Sequence, residues 1–198
     1  SCSRLGLHVY AYNCYQSIIR GGHIWLRVRI GENKVYSHGD NLNVLVALNQ
    51  DSIERHAMEV EEGGAVLFNS DRLSCEPSQV RAGVQVVGLP MKKITEEVVK
   101  EHGALLPIMQ NTVAMGAAAY FANVGLEEPS SVLADTFAHK GQKVIDLNVS
   151  LLKVGYEFAK ANFKPVTKEW KFTHKKRCFL TGNEAIAIGA YAAGCKFY

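Results

Sequence analysis

The chain has 198 residues, a formal net charge of +3 and an apolar fraction of 47 %. That length and composition suit one sizeable α/β domain with an ordinary packed core. The small charge, spread over both signs, does not suggest the dense basic face of a nucleic-acid protein, and no apolar run approaches the ~20 residues that cross a bilayer.

The five cysteines, Cys2, Cys14, Cys75, Cys178 and Cys195, form no C-x-x-C pair. Wide spacing and an odd count suit reduced thiols rather than a disulfide framework, a zinc ribbon or a cluster-binding loop. The opening "SCSRLGLHVYAYN" lacks a basic stretch followed by a long apolar one, so the expected compartment is the cytoplasm.

In chain order, "LHVYAYN" predicts a strand, followed by a corner at Arg20-Gly21-Gly22. "HIWLRVRIG" alternates, with Ile24, Leu26, Val28 and Ile30 on one face and Trp25, Arg27 and Arg29 on the other. This is the period of a half-buried strand. "GENK" predicts a turn into "VYSHG" and hence a hairpin. The continuous apolar run "LNVLVALN" predicts a strand buried on both faces. "QDSIERHAMEV" predicts a short helix capped by Asp51 or Ser52. "GGAVLFNSD" and "GVQVVGLP" predict two more buried strands. The order strand–helix–strand implies an α/β sheet, mixed because of the early hairpin but largely parallel, in a three-layer domain.

The second half predicts helices. "MKKITEEVVKEHG" ends at Gly103. "NTVAMGAAAYFANVG" has Asn111 or Thr112 as its cap and Gly125 at its end. "PSSVLADTFAHK" carries Pro129 in its first turn. "GQKVIDLNVSLLKVGYEFAKANF" spaces its apolar residues by three and four. "KPVTKEWKFTHKKRC" reads as a basic linker, and "TGNEAIAIGAYAAGCKFY" as a helix opened by a Thr181–Glu184 capping box.

The stretches "YQSIIRGGHIWLRVRI", "VYSHGDNLNVLVALN", "NTVAMGAAAYF", "FAHKGQKVIDLNVSLLKVGYEFA" and "GNEAIAIGAYAAGCKFY" together resemble the 2-oxoacid:ferredoxin oxidoreductases. The match is to the gamma-type domain at the front of the alpha subunit, most like the 2-oxoglutarate type. The resemblance divides the chain into a gamma-type domain over residues 1–163, a basic linker over 164–180 and the start of the thiamine-diphosphate enzyme domain over 181–198. It implies a holoenzyme that oxidatively decarboxylates a 2-oxoacid to an acyl-coenzyme A, with ferredoxin as electron acceptor. Its partners would be a beta subunit and the remainder of the alpha subunit, in an oligomer. Thiamine diphosphate, magnesium and iron–sulfur clusters would be carried elsewhere, with no cofactor in this chain. The family's opening Gly-x-Gly-Gly-x-Gly turn and its later Tyr-Pro-Ile-Thr-Pro segment have no counterpart here. The chain therefore reads as a fragment, inactive alone.

The resemblance also aligns the Arg20-Gly21-Gly22 corner with a stretch that faces coenzyme A in related pyruvate enzymes. Ser17, Arg20, Gly21 and Gly22 are thus candidate coenzyme A contacts. Read from the residues alone, glycines let backbone approach an anion and the arginine supplies charge. A glycine corner with a solvated arginine accounts for the same residues. His38 and Asp40 suggest an acid–base pair or a loop histidine at a sheet edge. Asn49-Gln50-Asp51 follows a strand, where α/β sheets bind ligands, and equally suits a helix cap. His139-Lys140-Gly141 reads as a helix connection. Trp170 and Phe172 among the lysines of residues 164–177 suit nucleic acid or acidic lipid, and the favoured reading is a linker lying on a neighbouring domain. No nucleophile–base pair and no metal-ligand spacing is visible, so neither a catalytic residue nor a metal ligand is assigned.

Overall fold

The structure, a computed structural model, describes residues 1–16, 19–103 and 105–197. It is an α/β fold built on two sheets. β1 (His8–Cys14) and β2 (Trp25–Gly31) form an antiparallel ribbon, with Tyr10 opposite Arg29 and Tyr12 opposite Arg27. β3 (Leu42–Ala47), β4 (Val60–Asn69) and β5 (Gln85–Leu89) form a parallel sheet in the order β3-β4-β5. The antiparallel pairing thus belongs to a separate ribbon. The strand that pairs with β2 is β1, and residues 35–39 carry no strand.

The middle strand is β4, whose run "AVLF" is buried on both faces. Its odd residues Ala65 and Leu67 join Val87 and Leu89 of β5 in one apolar layer. Its even residues Val66 and Phe68 face the opposite layer. β3 is an edge strand with only Ala47 fully buried, where the sequence predicted burial on both faces. An apolar run reads alike at an edge and in the middle, because pairing partners are not encoded locally.

Against the second face lies α1 (Gln50–His56), which seats Ile53 on the sheet. Its cap is Asn49, whose Oδ1 accepts from the Ser52 amide at 2.8 Å, so the cap lies before the predicted Asp51 or Ser52. Against the first face lie α4 (Gln110–Phe121) and α6 (Gln142–Asn162). These two helices cross at glycine. A Cβ on Gly116 would lie 2.0 Å from the Leu152 carbonyl oxygen, and one on Gly155 2.0 Å from that of Val113. The small residues of "VAMGAAA" thus let backbone meet backbone, and Val113, Ala117, Phe121 and Leu151 fill the seam.

α2 (Met91–Ile94) and α3 (Glu96–His102) lead from β5 to this layer, breaking at Thr95 and ending at Gly103 with φ +86°. α4 runs on from a tight turn at Pro107–Met109, which moves its start ahead of the predicted Asn111 or Thr112. It ends at Phe121, and Asn123, not Gly125, takes the left-handed position with φ +52°. α5 (Glu127–Phe137) follows, with Pro129 in its first turn.

Residues 164–180 have no helix or strand, yet they bond along the body. The Val166 amide donates to the Phe121 carbonyl at 3.0 Å and Trp170 Nε1 to that of Ala122 at 2.6 Å. Further on, the Arg177 amide donates to the Ser3 carbonyl at 2.9 Å and its Nε to that of Gly6 at 2.7 Å. α7 (Gly182–Ala192) carries the predicted capping box: the Thr181 amide donates to Glu184 at 2.7 Å and the Glu184 amide to Thr181 at 3.3 Å. All of its residues are exposed.

Candidate functional site

The chain leaves β1 at Cys14 and must reverse before β2 begins at Trp25. It does so through two glycines in conformations that side chains disfavour, Gly21 at φ +63° and Gly22 at φ +138°. No described atom lies within 4 Å of where a Gly21 Cβ would stand, whereas a Cβ on Gly22 would meet the Gln16 side chain at 2.4 Å. Arg20 is exposed, with no ion pair to a described carboxylate. Ser17 lies outside the described residues.

The face of β2 that packs inward is Trp25 and Arg27, while Ile24, Leu26 and Val28 are 63 %, 60 % and 47 % exposed. The alternation holds from Trp25 to Val28 with the apolar side open, and breaks at Arg29, which is exposed, and Ile30, which is half-buried. The reason lies in what Arg27 finds inside. Its Nη1 donates to the carbonyls of Gly39 at 2.9 Å and Asp40 at 3.2 Å, its Nη2 pairs with Glu59, and the guanidinium lies 5.3 Å from the Trp25 ring centroid. An arginine satisfied on every side, with its stem packed, is stable in a half-buried place.

Next to it stands a chain of polar side chains that sequence reasoning missed. His23 Nδ1 meets Asp51 at 2.8 Å, and His23 Nε2 meets His56 Nε2 at 2.9 Å. His56 Nδ1 meets Glu59 at 2.8 Å, and the other Glu59 oxygen takes Arg27. Arg55 closes the far end on Asp51 at 2.7 Å and holds that carboxyl below the usual carboxylate range, helped by His23. The local pairs Asp51–Arg55 and His56–Glu59 have helix-neighbour spacing and were legible as such. The partner of His56 is 33 residues away, beyond any local pattern.

The other candidates separate. His38 Nδ1 bonds to the Gly39 carbonyl at 2.6 Å and its ring stacks on Tyr12 at 5.0 Å, while Asp40 gives its carbonyl to Arg27. They form no acid–base pair. Beyond the carboxyl ends of β3 and β4, Ala47, Leu48, Asn69, Arg72, Gln110 and Asn111 line a small cleft, in which Asn69 donates to Gln110 at 3.0 Å. Asn49 is spent on the cap of α1, and Gln50 exchanges bonds with the Ser74 backbone at 3.1 and 3.2 Å. At the α5–α6 connection, Lys140 sits 5.4 Å over the Phe137 ring. Among the described residues, no three His, Cys, Asp or Glu side chains converge as metal ligands, and no helix is long and apolar enough to cross a membrane.

A mixed ribbon-and-parallel-sheet body of this kind has known relatives. The chain belongs to the pyruvate ferredoxin/flavodoxin oxidoreductase family, whose family model matches residues 1–158. It is 35 % identical over 167 residues to the ketoisovalerate oxidoreductase subunit VorA of Methanothermobacter thermautotrophicus, covering 83 % of this chain and 32 % of that one. It superposes with a TM-score of 0.77 and 26 % identity on the 2-oxoglutarate:ferredoxin oxidoreductase from Magnetococcus marinus, solved with 2-oxoglutarate, coenzyme A and succinyl-CoA bound. That match covers 98 % of this chain and 33 % of the other. The gamma subunit of a keto/oxoacid ferredoxin oxidoreductase from Geobacter sulfurreducens shares the fold, with a TM-score of 0.56 at 22 % identity, over 79 % of this chain and 82 % of that subunit. The chain spans about a third of the length of the first two.

Proposed function

We propose that this chain is an accessory, gamma-type domain of the alpha subunit of a 2-oxoacid:ferredoxin oxidoreductase. Its holoenzyme would turn a 2-oxoacid, with 2-oxoglutarate our first choice, into an acyl-coenzyme A and pass the electrons to ferredoxin. The fold shared with a gamma subunit supports the domain type. The choice of oxoacid leans on the likeness to an enzyme solved with 2-oxoglutarate and coenzyme A. Ketoisovalerate is the second reading, favoured by the relative at 35 % identity. Turnover of the two oxoacids by the complete enzyme separates these readings.

Thiamine diphosphate, magnesium and iron–sulfur clusters would supply the decarboxylation and electron transfer from elsewhere in the assembly, with a beta subunit and the rest of the alpha subunit as partners. No step is assigned to this chain, which we expect to be inactive alone. The compartment proposed is the cytoplasm.

The observation that carries a ligand role is the corner: an exposed Arg20 with no carboxylate partner among the described residues, beside two glycines that bare the backbone. Such a place suits a phosphate of coenzyme A. A charge-assisted bond of this kind contributes about 1.5–3 kcal/mol. Arg20→Ala in the complete enzyme should then raise the KM for coenzyme A by roughly ten- to a hundredfold and leave the KM for the 2-oxoacid unchanged. If the corner is only a turn, Arg20→Ala is silent. Gly22→Ala costs on the order of 2 kcal/mol of stability in either case, through its backbone angle. An unchanged KM for coenzyme A in a well-folded Arg20→Ala enzyme overturns the assignment.

A further inference from the structure

The two imidazoles between Asp51 and Glu59 impose a proton count on themselves. An ionised carboxylate only accepts hydrogen bonds, so Nδ1 of His23 and Nδ1 of His56 must each carry a proton toward its partner. The two Nε2 atoms face each other at 2.9 Å. That contact is a hydrogen bond when one of them is protonated and the other is not. Only with three ring protons, and so a single positive charge between two carboxylates, are all three contacts hydrogen bonds. With a fourth proton, two N–H groups collide. With only two, either two lone pairs face each other or one Nδ1 turns a lone pair on a carboxylate.

We propose that His23 and His56 form a one-proton latch that fastens the β1–β2 ribbon and its glycine corner to α1, closed only while the pair shares one proton. His23 lies in the segment entering β2 and is 6 % exposed in its side chain, and His56 ends α1 and is 14 % exposed. Their bond therefore joins the ribbon to the body where water competes little. A doubly carboxylate-backed histidine pair is also how a metal site is supported. Here the two Nε2 atoms stand at hydrogen-bond distance from each other, and among the described residues no three His, Cys, Asp or Glu side chains converge as metal ligands.

The charged groups facing the pair are Asp51 and Arg55 from α1, Glu59 from the turn after it and Arg27 from β2, with the Trp25 ring edge-on to His56 at 6.1 Å. Arg55 keeps the folded Asp51 value depressed. Its contribution is present above its unfolded value and is lost only as pH falls through the lowered one, below the range where imidazoles titrate. Opening on the acid side is therefore the second imidazole proton, and opening on the alkaline side is loss of the shared one.

The test is two measurements on the full chain. In ¹⁵N-histidine spectra the two rings should titrate together, in two coupled steps, and His23→Asn should turn His56 into an ordinary single-step group. Asparagine keeps a donor for Asp51 and removes the nitrogen that faces His56. Amide exchange in β2, corrected for intrinsic pH dependence, should be slowest at intermediate pH and rise on both sides. In His23→Asn it should be faster by on the order of tenfold and flat in pH. Rings that titrate independently in the unmutated protein overturn the latch even if the variant fails to fold. So does stoichiometric binding of zinc that moves both ring signals. Neither measurement uses coenzyme A, so failure here is distinguishable from failure at Arg20.

Discussion

At the scale of single residues, environment rather than identity sets the chemistry, as the cysteines show. Burial pushes the Cys2 thiol up, and burial with the Glu76 charge beside it does the same to Cys75, while Cys178 and Cys195 are exposed. The thiolate is the reactive form. Brief alkylation at neutral pH followed by peptide mass analysis should therefore find Cys178 and Cys195 modified first and Cys2 last. Early modification of Cys2 would contradict its burial. None of this was legible in the sequence beyond the absence of paired spacing. The corner glycines were legible, because two adjacent glycines before a strand announce positive φ, and both show it. The histidine pair was not, because each ring's local neighbour explains it adequately until the fold brings His23 to His56.

At the scale of elements, periodicity was legible and the choice of inward face was not. The alternation of β2 is present, but Trp25 and Arg27 pack inward because the loop at Gly39–Asp40 and Glu59 offer the arginine acceptors that no strand pattern reveals. The helix-rich second half was the more readable, since apolar spacing in α6 and small residues in α4 already describe a close crossing. That crossing has a definite energetic signature. Gly116→Ala and Gly155→Ala each put a methyl group 2.0 Å from a backbone carbonyl oxygen, which no rotamer relieves. Helix propensity alone would favour alanine by about 1 kcal/mol. The clash should win, with each variant losing roughly 3 kcal/mol in urea unfolding. A gain in stability would mean that the helices can separate freely.

At the scale of the whole molecule, the segment 164–177 acts as a strap. It bonds to Gln85 at the edge of β5, to the end of α4, to Glu32 beyond β2 and to residues 3–6. A polar, basic composition does not tell where such a segment lies, since every one of these bonds has a backbone amide or carbonyl on at least one side. Trp170→Phe keeps the ring and removes the bond to Ala122. It should lower stability by about 1 kcal/mol and leave β2 exchange unchanged, as thermal melts and exchange would read. The strap has a mechanical consequence. The Arg177 amide and Nε are tied to Ser3 and Gly6, so two stretches far apart in sequence are held together in one knot. Tension passing along the backbone through residues 3 and 177 would be borne by that knot and bypass the parallel sheet. A pull that separates these two stretches would shear the knot first while the interior of the body stays unloaded.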